Sequence, residues 1–156
     1  MIIRLMATDP RNPAPSSLAT RTVMRANRGR DTSPELTLRG QLWRAGMRGY
    51  RTNLRVAGVR PDVVFSRQNL AVFVHGCFWH RCAECALPLP QANRAFWAAK
   101  FRRNRQRDRQ KRRLLEAEGW SVLEFWAHEI EGVGGANRAA KTIARSLRRP
   151  REGVRR

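Results

Sequence analysis

NLAVFVHGCFWHRCAEC, residues 69–85, is the stretch on which the fold turns. Leu70 to Val74 are apolar at every position, the pattern of a strand covered on both faces rather than one with a wet side. The strand runs straight into a loop holding all three cysteines of the chain and two of its three histidines, wrapped around Phe78 and Trp79. Two roles suit such a loop: a zinc staple that only holds the fold, or an active site that uses the same residues.

Strand signals lie on either side. YRTNLRV (50–56) alternates in polarity, and GVRPDVVF (58–65) is an apolar run joined to NLAVFV by the turn SRQN. Downstream, residues 92–119 read as one long helix capped by Asn93 and closed by Gly119, and WSVLEFW (120–126) follows as another strand. Ala140, Ile143, Ala144 and Leu147 recur at helical spacing, so a helix closes the chain. Upstream, DTSPELTLRGQLWRAG predicts a helix with Ser33 as N-cap, Pro34 and Glu35 in its first turn and Gly46 at its end. Its apolar residues are Leu36, Leu42 and Trp43. SLATRTVMRANR (17–28) predicts a short basic helix. The order helix, three strands, helix, strand, helix predicts an α/β fold, a central sheet flanked by helices. Residues 17–149 form one domain in this reading, with a disordered proline-bearing arm at 1–16 and a basic tail at 150–156.

Length and composition agree with that plan. A chain of 156 residues with 42% hydrophobic content can build a real core without disulfides. No apolar stretch approaches a membrane span, and the N-terminus lacks the features of a signal peptide. A cytoplasmic protein with reduced thiols is expected, and an odd number of cysteines there favours metal over disulfide. Thirty-two Lys+Arg against twelve Asp+Glu leave a net charge of +20, which attracts a polyanion through counterion release. The excess is almost all arginine, whose fork suits phosphates and guanine edges. Nucleic acid is the expected partner; charge does not say what happens to it.

The chemistry sits around the loop. Cys82-x-x-Cys85 has the spacing of a zinc knuckle, with Cys77 five residues upstream. Three thiolates leave one ligand open, and His75, His80 and His128 are the candidates. Three thiolates and one imidazole make a closed site, and closed zinc sites are structural. Asp62 opens one strand and His75 ends its neighbour, so a hairpin would set a carboxylate beside an imidazole. Asp62 with the Val74 carbonyl offers the oxygens a hard Mg²⁺ prefers. On the long helix Trp97, Phe101, Asn104, Asp108 and Leu115 share one stripe. A buried amide and carboxylate on that stripe need partners.

ATRTVMRANRGRDTSPE (19–35), RPDVVF (60–65), VFVHGCFWHRCAEC (72–85), FWAAKFRRNRQRDRQ (96–110) and GWSVLEFW (119–126) resemble the very short patch repair endonucleases. These enzymes nick DNA at T:G mismatches left by deamination of 5-methylcytosine, and the resemblance runs through about residues 18 to 130 in the family's own order. It implies a restriction-endonuclease-like core with a structural zinc site. By the same resemblance, Asp62 is the metal-binding aspartate and His75 stands where many related nucleases keep a lysine. His80 activates or positions the attacking water, Asp108 orients His80, and Glu35 lies near metal-bound waters. Phe78, Trp79 and Trp97 match the aromatic wedge driven into the duplex, with Asn104 on the same DNA-facing helix. Met24 and Arg25 match the arm that embraces DNA from the other groove. Val74 stands where the best-known member has threonine, a change its carbonyl role tolerates. His128 stands where the last zinc ligand is usually cysteine.

The implied cofactors are catalytic Mg²⁺ and structural Zn²⁺. The implied partners are double-stranded DNA with a T:G mismatch, mismatch-repair proteins such as MutL and a cytosine-5 DNA methyltransferase system. A monomer associated with the nucleoid in the cytoplasm, with no membrane contact, is expected. A rival from another class is a non-catalytic zinc-containing nucleic-acid binder whose aromatics stack on bases. It leaves Asp62, His80, Asp108 and Glu35 without a task. A related nuclease with a different nick site is the rival among enzymes.

Overall fold

A computed structural model describes residues 29–148. The expected arm, the basic helix with Met24 and Arg25, and the tail lie outside the described residues. The order is α1 (Ser33–Arg44), β1 (Val63–Phe65), β2 (Leu70–His75), α2 (Cys77–His80), α3 (Arg94–Ala117), β3 (Ser121–Trp126), α4 (Ala127–Glu131) and α5 (Gly135–Arg148).

The described sheet has three strands in the order β1-β2-β3. β1 and β2 form an antiparallel hairpin, Val63 opposite Val72, turned by a 3₁₀ segment over Ser66–Gln68 and by Asn69 in the left-handed region. β2 and β3 are parallel, Leu70 against Ser121 through to His75 against Trp126. Parallel neighbours need a long crossover, and α3 supplies it. The mixed sheet flanked by helices agrees with the expected α/β plan.

Continuous apolarity in β2 has its expected cause. Leu70 and Val72 face one cluster with Val63, Phe65, Leu38, Leu42, Ile130 and Ile143, which α1, α4 and α5 cover. Ala71 and Phe73 face the other side, with Val122 and Leu115 under α3. Each such side chain contributes roughly 1.5–3 kcal/mol when withdrawn from water. The phase of the strand also sorts the chemistry. His75, Phe73 and their β3 partners Trp126 and Glu124 all project to the α3 side.

Three expectations need correction. YRTNLRV forms no strand: Arg51 makes a single bridge to Val64, and Val56 one to Val59. Asn53 at φ 56° and Ala57 at φ 48° turn the chain out of the extended region, so the alternation cannot become a ladder. The N-cap of α1 is Thr32 rather than Ser33. The Thr32 hydroxyl donates to Glu35 Oε1 at 2.7 Å, and the Asp31 N–H to Glu35 Oε2 at 2.9 Å. The buried stripe of α1 is Leu38 and Leu42; Leu36 is 54% and Trp43 59% exposed. Leu38 and Leu42 are one turn apart and share a face, whereas Leu36 and Trp43 sit on a different one, where the Arg48 guanidinium covers the indole at 3.5 Å. Helix ends fare better: Asn93 is the N-cap of α3, although its side chain makes no capping bond, and Gly119 takes φ 75° just past the helix.

Candidate active site and metal cluster

The loop after β2 is a single short helix, α2, that begins at Gly76 and turns off at Arg81, φ 58°. That turn sends Cys82 and Cys85 back under Cys77, with the Cys82 N–H donating to the Cys77 carbonyl at 3.0 Å. His128 enters from α4, two residues past the end of β3. Its Nδ1 lies 3.3 Å from Cys77 Sγ, 3.7 Å from Cys82 Sγ and 3.4 Å from Cys85 Sγ. A tetrahedral zinc with ordinary bond lengths separates sulfur and nitrogen ligands by about 3.5 Å. The donor set and its spacing therefore fit zinc, and the imidazole that joins the three cysteines is that of His128 rather than His75 or His80. Crowding without a cation is unfavourable: desolvation and hydrogen bonding with Cys77 and Cys82 push the Cys85 thiol up to about 12. On the far side of the ring, His128 Nε2 lies 2.9 Å from Glu84 Oε2. That contact orients the imidazole as second partners of metal-bound histidines do.

A separate group forms on the α3 side of the sheet. His80 Nδ1 and Asp108 Oδ2 are 2.6 Å apart. An ionised carboxylate can only accept, so in the neutral ring the proton sits on Nδ1 and Nε2 keeps its lone pair, whereas the protonated ring brings a positive charge to the same contact. Burial alone would raise the Asp108 carboxyl, but the hydrogen bond and charge of His80 outweigh it and hold the group below its ordinary value. The His75 ring lies 4.5 Å from that of His80 and is 9% exposed.

Asp62 stands across the hairpin. Its Oδ2 accepts the Val74 N–H at 2.8 Å. The Asp62 N–H donates to the Val72 carbonyl at 3.0 Å, and in a strand alternate residues present N–H and C=O to the same side. The Val74 carbonyl consequently faces the edge where Asp62 sits. Desolvation raises the Asp62 carboxyl to about 6, helped by nearby Glu35 and opposed by the Val74 bond and by His75 and Lys111. A carboxyl driven up by burial and by a second carboxylate is one that a cation would relieve, so these oxygens fit Mg²⁺. Glu35 contributes by proximity; its own oxygens cap α1. Together with Thr52, Asn53, Arg30, Arg39 and Arg60, Glu35 and Asp62 line a small open cleft.

The aromatics form one packed group. Phe78, Trp79, Trp97 and Phe101 meet at centroid distances of 5.1 to 6.0 Å. Trp97 is only 8% exposed, so it backs the group, while Phe78 and Trp79 keep partly open edges. Asn104 satisfies the expectation that a buried amide finds partners: its Nδ2 donates to the Trp79 carbonyl at 3.0 Å and its Oδ1 accepts from Arg107. It ties the loop to α3. Sequence reading missed Glu84, Lys111, and the pair Arg112–Glu124. Only Glu124 carried a signal, as a lone carboxylate inside the apolar strand WSVLEFW.

Fold and site define a class first: an α/β domain with a mixed sheet, carrying His75, His80 and Asp108 together on one side and a Cys₃His cluster beside them. A family model described as DNA mismatch endonuclease Vsr matches residues 17–87. The type II nicking enzyme V.NaeI of Lentzea aerocolonigenes is 42% identical over 122 residues, 75% of this chain and 72% of its own. The type II nicking enzyme V.XorIIP of Xanthomonas oryzae pv. oryzae is 35% identical over 123 residues, 79% of this chain and 90% of its own. The DNA mismatch endonuclease Vsr of Escherichia coli (strain K12) is 35% identical over 109 residues, 70% and 69% of the two chains. The chain belongs to the Vsr family of DNA endonucleases, and its core is restriction-endonuclease-like.

Proposed function

We propose that this endonuclease nicks one strand beside a T:G mismatch left by deamination of 5-methylcytosine, by Mg²⁺-dependent phosphodiester hydrolysis. The observation that carries it is that Asp62, bonded to the Val74 backbone, and the Asp108 partner of His80 share His75 and Lys111 as charged neighbours, with Phe78 and Trp79 on the same short helix as His80. Bound Mg²⁺ would supply charge for the pentavalent phosphate and lower the pKa of a coordinated water. Asp62 and the Val74 carbonyl would hold it, with Glu35 close by. His80 accepts a proton from water at Nε2, and Asp108 stabilises the imidazolium that results. Cys77, Cys82, Cys85 and His128 would hold Zn²⁺, which would keep α2 rigid, as a wedge needs if it is to unstack a base step. Met24 and Arg25 grip the duplex from the other groove. The protein acts as a monomer in the cytoplasm, with MutL-type repair proteins and a cytosine-5 methyltransferase as its functional context.

A second reading concerns the site cut. Relatives described as type II nicking enzymes favour an enzyme whose nick depends on the sequence around the mismatch. One experiment addresses both. Labelled T:G and matched duplexes, with the mismatch placed in several methylation-site contexts, are incubated with protein in Mg²⁺ or in chelator. A single-strand nick on T:G duplexes only, absent with chelator and absent for Asp62→Ala, is the expected result. Equal cutting of matched DNA would overturn mismatch specificity, and no cutting at all would favour the binding-module reading.

A further inference from the structure

Glu124 and Arg112 border the cleavage centre and have no task in the reaction above. Glu124 lies on β3 opposite Phe73 and projects to the same side as His75. Its Oε1 is 3.7 Å from His75 Nε2, and its Oε2 accepts from Arg112 Nη1 at 2.8 Å. Arg112 Nε donates in turn to Glu116 Oε1 at 2.8 Å, so two carboxylates clamp one guanidinium on α3.

The His75 ring is hemmed in by shape. Phe73 stacks nearly parallel at 6.0 Å, Trp126 lies at 5.6 Å and His80 at 4.5 Å. Shape alone does not orient an imidazole, because turning the ring over exchanges nitrogen for carbon with almost no change in outline. What tells the two orientations apart is a polar neighbour, and Glu124 is one. At 3.7 Å its carboxylate is beyond a direct hydrogen bond, but its negative charge favours the ring edge that carries an N–H, and so the proton on Nε2 with the lone pair on Nδ1.

We propose that Glu124, anchored by Arg112, is a positioning residue that selects the orientation and tautomer of His75 in the cleavage centre. The inference rests on the nuclease reading for its consequence but not for its geometry. A surface ion pair whose only task was to join α3 to β3 would contribute little and would not need its second oxygen under a histidine.

The test uses the full zinc-loaded chain. Single-turnover nicking of the T:G duplex and its binding affinity are measured for wild type, Glu124→Leu, Glu124→Gln and Arg112→Ala, with and without His75→Ala, alongside melting temperatures. Glu124→Leu should lower the nicking rate about tenfold with affinity and melting temperature unchanged, in line with outer partners of site histidines. Glu124→Gln keeps an acceptor and should recover most of the rate; Arg112→Ala should lose a smaller share. In the His75→Ala background Glu124→Leu should change nothing more. Nitrogen chemical shifts of ¹⁵N-histidine should show His75 protonated on Nε2 in wild type and mixed in Glu124→Leu. A full rate in Glu124→Leu, a loss undiminished in the His75→Ala background, or an unaltered tautomer would overturn the proposal. Should wild type nick no duplex, the nuclease reading fails, while the tautomer comparison still decides the role of Glu124.

Discussion

His80 on α2 and His128 on α4 are placed by different elements, yet each imidazole lies against one carboxylate. The difference lies in which nitrogen is spoken for. At His128, Glu84 takes Nε2 and Nδ1 is surrounded by three sulfurs at 3.3 to 3.7 Å, so both nitrogens are used. At His80, Asp108 takes Nδ1 and Nε2 is left with its lone pair. The first arrangement suits a closed metal cluster; the second suits proton transfer. The same residue type becomes structural or catalytic according to the atom left over, which sequence spacing does not report.

The sharpest way to break this contrast is at the cluster. Cys82→Ala removes a buried thiolate, and because metal binding energy in small closed sites is folding energy, thermal melting should show a broad loss of structure. Elemental analysis of the purified wild type should return zinc stoichiometric with protein. A metal-free chain that keeps its melting temperature and its nicking would erase the distinction between the two histidines. His80→Ala is the counterpart: rate should fall by roughly 10²- to 10⁴-fold with the fold intact. If His80→Ala instead unfolded the chain, both histidines would be structural.

Recognition sharpens the comparison further. Trp79 sits on α2, between Cys77 and Cys82 of the cluster, so Trp79→Ala should weaken binding to a T:G duplex more than to a matched one, by on the order of tenfold for a wedge contributing about 1–3 kcal/mol. Titration of both duplexes at one salt concentration decides it, and equal losses would mark Trp79 as packing. The smallest effect concerns Asp62. Its carboxyl is raised to about 6 by burial, so the folded state binds that proton more tightly than the unfolded chain, whose value is near the ordinary 3.8. In magnesium-free buffer stability should therefore fall as pH rises from about 4 to 6 and stay low above that. Asp62→Asn should flatten this slope and raise the melting temperature at pH 8 by a few degrees. Calorimetry showing the opposite slope would mean the carboxylate is stabilised without a cation.

Much of this was legible in the residues. Continuous apolarity from Leu70 to Val74 announced a strand buried on both sides, and the tight cysteine spacing announced a cluster. The stripe Trp97, Phe101, Asn104, Asp108, Leu115 placed the partner of His80 on the correct face of α3. What stayed hidden depended on contacts between distant segments. YRTNLRV alternates as a strand should, but left-handed turns at Asn53 and Ala57 stop it, and no local pattern foretells them. Leu36 and Trp43 are apolar and helical, yet the core lies on the side of Leu38 and Leu42. Composition could not choose between faces. Glu84 and Arg112 looked like ordinary surface charges until the fold set a histidine and a glutamate beside them.

The placement of the metal ligands has a kinetic consequence. Cys77, Cys82 and Cys85 lie within ten residues of the end of β2, and His128 two residues past the end of β3, so the cluster spans the same crossover that the parallel pairing of β2 and β3 must close. Closing a chain of that length is the slow, entropically costly step in forming parallel sheet. A zinc ion held first by the three neighbouring thiols would need only His128 to complete its shell, and capture of that residue would deliver β3 to the edge of β2 in register. Metal uptake and sheet assembly would then be one event, so the refolding rate should depend on zinc concentration while the unfolding rate should not.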